Sequence, residues 1–205
     1  MTIDSKNGSR RIILASGSPR RRELLEQLGL SFDVITSDVA EQFDPEMPPA
    51  EVVQFLADKK GAAVANSIKH GLVIAADTIV VIDEQILGKP DSVSSAKQML
   101  RRLAGRTHTV YSGIAVIDAE TMNKKISYRS TVVHMRELSD EEIDVYVESG
   151  EPMDKAGAYA IQGIGSTLVT SVEGCYFTVV GLPMSLLAEL LWEFGVNVLA
   201  VHKPV

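Results

Sequence analysis

The chain has 205 residues, 45% of them hydrophobic and 23% charged, enough to bury a core and far from a disordered composition. Its formal net charge of −7 gives no general attraction to a polyanion, which argues against a nucleic-acid scaffold and leaves phosphate binding to a local cluster of Arg and Lys. One cysteine, Cys175, excludes a disulfide framework within the chain. No apolar run approaches the ~20 residues of a membrane span, and the N-terminus lacks a signal-peptide core, so the expected location is the cytoplasm, without membrane contact.

Residues 1–9 are polar and unpatterned and are expected to be flexible, leaving 10–205 as a single domain. Arg11 to Ala15 reads as a short strand. Pro19 suits the first turn of a helix, and Leu24, Leu25 and Leu28 give that helix an apolar stripe ended by Gly29. Phe32 to Ile35 follows as a strand. The acidic, proline-bearing run from Ser37 to Pro49 predicts an exposed functional loop. Ala50 to Ile68 has the spacing of a long amphipathic helix. Leu72 to Ile82 is apolar except for Asp77 and Thr78, and Asp83-Glu84 reads as a hairpin turn. Ser92 to Leu103 predicts a helix closed by Gly105.

His108 to Asp118 and Lys124 to Met135 predict a long hairpin. Ser139 and Glu142 form a capping box before a helix that ends at Gly150. Lys155 to Gly165 is glycine-rich and irregular. Leu168 to Val172 and Tyr176 to Val180 read as a second hairpin, and Pro183 opens the last helix. Hairpins mixed with crossover helices predict an α/β fold, a mixed twisted sheet flanked by helices.

Four groups of residues carry chemical promise. Ala15 to Leu25 (ASGSPRRRELL) follows a strand and opens a helix, where backbone N–H groups, Ser16, Ser18, Arg20, Arg21 and Arg22 can grip phosphate; the plainer reading is a capped helix with a solvated basic face. Asp77 interrupts an apolar strand, a costly burial unless the carboxylate is paired or metal-bound; it reads as a Mg²⁺ ligand, a general base, or a structural strand-end residue. Lys89, in LGKP, and Lys59 and Lys60, on the long helix, read individually as surface lysines. Gly150 to Gly165 carries Asp154, Lys155 and Gln162 among glycines that let backbone approach a ligand, and Gln162 offers both a donor and an acceptor for a base edge. There is no P-loop, dinucleotide fingerprint or nucleophile elbow. His70, His108, His134 and His202 lack zinc spacing.

Taken in order, ASGSPRRRELL, the Glu41 loop, the helix with Lys59, AADTIV, LGKP, GRTHTVYSG, GEPMDKAGAYAIQG and VVGLP resemble the Maf family of nucleotide pyrophosphatases from about Leu14 to Leu191. The resemblance implies two lobes around a deep cleft, a homodimer, and hydrolysis of a nucleoside triphosphate between its α and β phosphates with a divalent cation, Mg²⁺ or Mn²⁺. It implies Asp77 as proton acceptor. Ser16, Arg20, Arg21, Glu41, Lys59, Lys89 and Lys155 would bind substrate and phosphate, and Glu41 and Asp77 would hold the metal. The dTTP- and UTP-directed branch is the one this sequence is similar to, with Arg20, Thr78 and Gln162 as specificity positions. The alternatives are a broader triphosphatase for non-standard nucleotides, or a nucleotide-binding regulator of septum formation.

Overall fold

The computed structural model describes residues 10–200; the expected flexibility of residues 1–9 lies outside them. In chain order the elements are β1 (Ile12–Leu14), α1 (Pro19–Glu26), β2 (Phe32–Val34), α2 (Pro49–Ala65), β3 (Leu72–Ile82), β4 (Gln85–Leu87), α3 (Val93–Leu103), β5 (Thr107–Asp118), β6 (Lys124–Met135), α4 (Asp140–Glu148), β7 (Val169–Glu173), α5 (Tyr176–Val180) and α6 (Met184–Glu193). Short 3-10 turns occupy Glu151–Asp154, Ala156–Ala158 and Gly163–Leu168. The strands form one seven-stranded mixed sheet in the order β2-β1-β3-β5-β6-β7, with β4 also pairing to β3. β2, β1 and β3 run parallel; β3, β5, β6 and β7 run antiparallel.

The run Leu72–Ile82 is apolar because β3 is covered on both faces. Leu72, Ile74 and Ala76 join the core under α1 and α6, while Val73 and Ala75 face α2. Farther along, Val80 and Ile82 join the core under α3 and α4, and Ile79 packs on the start of α2. β3 therefore passes from one lobe into the other, with Asp77 and Thr78 at the crossing.

One edge of β3 is paired with β5 along its length. The other edge is interrupted. β1 pairs only with Leu72–Ile74, and β4 only with Val80–Ile82. Residues 75–79 have no strand beside them on that edge. β4 is brought back by a two-residue turn, Asp83 and Glu84, both with left-handed φ (50° and 60°), as a tight hairpin requires. It ends where Gly88, Lys89 and Pro90 peel away, and Pro90 has no N–H to continue a ladder.

α2 lies unusually close to the sheet. A Cβ on Gly113 of β5 would stand 2.4 Å from the Val53 carbonyl oxygen, and one on Gly61 of α2 would meet Ile117 at 2.9 Å. Gly113 meets fixed backbone and admits no side chain, whereas a side chain at Gly61 would have to displace the end of Ile117.

Tyr176–Val180 is a helix, not the strand expected from its apolar, β-branched sequence. Thr131 Oγ1 accepts from the Cys175 N–H and donates to the Cys175 carbonyl, both at 3.0 Å. The chain turns there and lays Thr178 and Val180 on the sheet face, both buried. Face packing overrides strand propensity. Cys175 itself is half-buried.

His108 of β5 is 2% exposed. Its Nε2 meets Tyr159 Oη at 2.7 Å and its Nδ1 has no partner. Burial, then the charge of His134, pushes its pKa down to about 4, against about 6.5 in an unfolded chain. The folded state holds His108 neutral. Its contribution is complete above pH 6.5 and is lost as pH falls from 6.5 to 4, by about 3 kcal/mol in all. Urea titrations across that range should show stability falling with acid, and His108→Gln should flatten the slope. An unchanged slope in the variant contradicts this account.

Candidate active site

The gap in the β3 edge opens into a cavity of about 640 Å³. On one side stands the turn from β1 into α1. No side chain caps α1, and no acidic residue lies in its first turn, so its N–H groups and positive dipole end face the cavity uncompensated. Ser16 is 9% exposed, and its Oγ accepts from the Ser18 N–H at 3.3 Å and from Arg21 Nη1 at 3.2 Å.

The three arginines separate in role. Arg20 lines the cavity. Arg22 turns out and pairs with Glu26 at 2.9 Å. Arg21 runs inward: Nε donates to the Gly181 carbonyl at 2.9 Å, Nη1 to Ser16, and Nη2 to Thr78 Oγ1 at 3.0 Å. Three of its five donors are thus spent on the protein, leaving two for a ligand. Burial lowers the Arg21 pKa and the nearby Asp77 carboxylate opposes the shift; a guanidinium stays cationic regardless.

Asp77 and Thr78 point to opposite faces of β3, as a regular strand demands. Asp77, 5% exposed, faces α2 and bonds to Lys60. The same ammonium holds Glu41 at 2.7 Å. Burial pushes the Asp77 carboxyl up, and the charges of Lys60 and Arg21 pull it back only partly. Burial also pushes Glu41 up, but its bond to Lys60, with Lys89 and Arg21 nearby, leaves it below the usual carboxylate range. The Glu41 loop is exposed as expected, yet Phe43 and Met47 anchor it on the core beside α2.

The lysine of α2 in this site is Lys60, not Lys59. The buried stripe of α2 runs Val53, Leu56, Ala57, Gly61 and Val64, and Lys60 falls on it at three and four residues from Ala57, Leu56 and Val64. Lys59 sits over the Phe55 ring at 5.6 Å and does not line the cavity. That spacing was present in the sequence. Lys89, Lys155 and Gln162 all line the cavity. Lys155 Nζ donates to the Glu151 carbonyl at 2.7 Å and to Asp154. Partial burial pushes the Asp154 carboxyl up, and Lys155 and then Arg20 more than reverse it.

Three supporting residues escaped the sequence reading. Glu151 accepts from the Ile164 N–H at 3.0 Å, the Gly165 N–H at 2.8 Å and the Tyr146 hydroxyl at 2.9 Å. Tyr146 Oη in turn accepts from the Ala160 N–H at 3.2 Å. Together they hold the turn that carries Gln162. Ser112, fully buried, lies opposite Thr78 in the β3–β5 register, 2.8 Å from its hydroxyl and 2.8 Å from the Thr178 carbonyl. Within the adjoining 3-10 turns, Gly157 and Ala158 are both left-handed (φ 71° and 57°); for alanine this is strained backbone, set against the cavity wall.

No group of three or more His, Cys, Asp or Glu positioned for a metal occurs among the described residues. Of the three carboxylates that line the cavity, Glu41 and Asp77 converge on one cation, Lys60, while Asp154 pairs with Lys155. A divalent ion that keeps phosphate oxygens as further ligands needs no larger set from the protein.

Fold and site together define an α/β protein with a cation-lined cleft, sized for a small phosphorylated ligand, built around a desolvated carboxylate. The chain belongs to the Maf-like protein family, whose model matches residues 11–194. It is 50% identical over 189 residues to the dTTP/UTP pyrophosphatase of Desulforamulus reducens, covering 92% of this chain and 99% of that one. To the dTTP/UTP pyrophosphatase of Bacillus cereus strain AH820 it is 48% identical over 190 residues, covering 92% and 98%. Among solved structures, the Staphylococcus aureus Ham1 protein is similar with a TM-score of 0.45 and 17% identity, covering 78% of this chain and 80% of that one.

A ¹³C-NMR titration of the Asp77 carboxyl should give a pKa above the ordinary aspartate value. Lys60→Met should move it further up, and Lys59→Met should leave it in place. An equal response to both substitutions contradicts the assignment of Lys60.

Proposed function

We propose that this chain is a dTTP/UTP pyrophosphatase, converting a pyrimidine nucleoside triphosphate and water to the monophosphate and pyrophosphate. The observation that carries this reading is the convergence of Arg20, Arg21, Lys60, Lys89 and Lys155 on one cavity with a desolvated Asp77 at its centre. The full-length likeness to proteins of that name supports it. Such a cluster inside a chain of net charge −7 is a local device for a polyanion, and a triphosphate is the compact ligand that needs it.

Arg20 and the N-terminus of α1 would bind phosphate oxygens from one wall, and Lys89 and Lys155 from the other. Arg21 contributes its two uncommitted donors. Asp77 would hold the attacking water and take its proton; desolvation makes it a stronger base than a surface carboxylate. The water oxygen bonds to the α-phosphorus, the bond from that phosphorus to the bridging oxygen breaks, and pyrophosphate leaves with its charge spread over the lysines. A divalent cation, Mg²⁺ or Mn²⁺, would be held by Glu41 and Asp77 and would supply Lewis-acid polarisation of the reacting phosphate. Thr78 and Gln162 would read the base. Hydrolysis of free nucleotides keeps the nucleotide pool clean, and nothing in the reaction needs nucleic acid or a membrane; among the described residues no helix is long and apolar enough to cross one. The active form in this reading is a homodimer.

Turnover of dTTP and UTP should release pyrophosphate as the first product. Asp77→Asn should lower kcat by ~100-fold or more, the range for loss of a general base, while Lys59→Met leaves it near the parent value. Orthophosphate as the first product, or near-normal turnover by Asp77→Asn, overturns the proposal.

A further inference from the structure

Ser112 touches no solvent, yet it fixes what Thr78 can offer a ligand. The directions of three hydrogen bonds follow from which atoms can donate. The Thr178 carbonyl only accepts, so the Ser112 hydroxyl gives its single proton there, at 2.8 Å. That leaves the Ser112 oxygen as an acceptor, and the Thr78 hydroxyl donates to it, at 2.8 Å. Arg21 Nη2 only donates, so Thr78 Oγ1 accepts from it, at 3.0 Å. A threonine hydroxyl has one proton and two lone pairs. The proton and one lone pair are now committed. Thr78 lines the cavity with one lone pair left and no donor.

An acceptor-only group repels phosphate oxygens, which are acceptors themselves. It suits a donor on the nucleoside. Uracil and thymine present an N3–H, whereas cytosine presents a lone pair at the same position. We infer that Ser112 is a specificity-determining residue: by holding the Thr78 hydroxyl as a pure acceptor, it makes the cleft favour an imide base over cytosine. The inference rests on the proposed pyrimidine-triphosphate activity. Ser112 reaches the ligand only through Thr78 and is a positioning residue. Discrimination built this way is strong, because the wrong base leaves two lone pairs facing each other in a desolvated site.

The test compares kcat/KM for UTP, dTTP and CTP in the parent protein, Ser112→Ala and Thr78→Val. The parent should prefer UTP to CTP by ~100-fold or more. Ser112→Ala removes the acceptor that holds the Thr78 proton, so the hydroxyl can turn and donate to cytosine N3. The UTP-to-CTP ratio should narrow by ~10-fold or more, since the rejection of an unpaired buried group is what is relieved. A merely structural loss lowers both substrates together, and an unchanged ratio in a folded Ser112→Ala protein overturns the inference. Should that variant fail to fold, Thr78→Val decides: it removes the acceptor while keeping the shape, and the ratio should narrow through losses on UTP and dTTP. An unchanged ratio there also overturns it. A parent protein that hydrolyses UTP and CTP equally defeats the pyrimidine reading itself, whatever the variants do.

Discussion

A strand edge left unpaired for five residues is the constraint on which the rest of this structure depends. β3 keeps β5 on one side throughout, but on the other side β1 stops at its start and β4 begins only at its end. A gap of this kind exposes backbone groups inside an otherwise covered sheet, where an unpaired polar group is costly. It is tolerated because the gap is an opening to a cavity and not part of a packed interior. It also decides which side chains serve that cavity. Asp77 goes to the face covered by α2, and Thr78 to the face covered by α5 and α1. One dipeptide thus supplies two walls.

The electrostatics follow from that placement. A carboxylate at 5% exposure needs a cation, and removing one partner from a buried pair costs several kcal/mol. Lys60 supplies the charge because Gly61 and Gly113 let α2 press onto the sheet. Arg21 supplies more from the far side, but much of its donor capacity goes into joining the α1 turn, Thr78 and the Gly181 carbonyl. Arg21 is therefore as much a tie between elements as a ligand for anions. Arg20, Lys89 and Lys155 line the same cavity, with Lys89 the exposed one of the three. This concentration of positive charge favours an anionic occupant.

Much of this was readable from residue order. Pro19 after a serine pair, the capping box of Ser139 and Glu142, the Asp83-Glu84 turn and the alternation of the long hairpin each have a local cause, and each is found where expected. Asp77 was conspicuous because a lone carboxylate in an apolar strand needs a reason. The choice between Lys59 and Lys60 failed on a local matter, the phase of the α2 stripe; the other failures had non-local causes. Tyr176–Val180 has strand-like residues, yet Thr131, 44 positions away, holds the turn that sends it into a helix. Lys60 and Lys59 look alike until the buried stripe of α2 is phased. Ser112 and Glu151 act through hydrogen bonds to residues remote in sequence or to backbone N–H groups, and no spacing announces such partners.

The central claim is that substrate lies in the gap on the β3 edge, between the α1 turn and the segment carrying Lys155 and Gln162. Hydrogen exchange measured by mass spectrometry tests it directly, with and without a UTP analogue whose α–β bridge resists hydrolysis. Protection should rise in peptides spanning Ser16 to Arg21 and residues 75–79, and stay unchanged at the outer edge of β2, which faces away from the cavity. Protection confined to β2 or β7, with none at residues 75–79, contradicts the account.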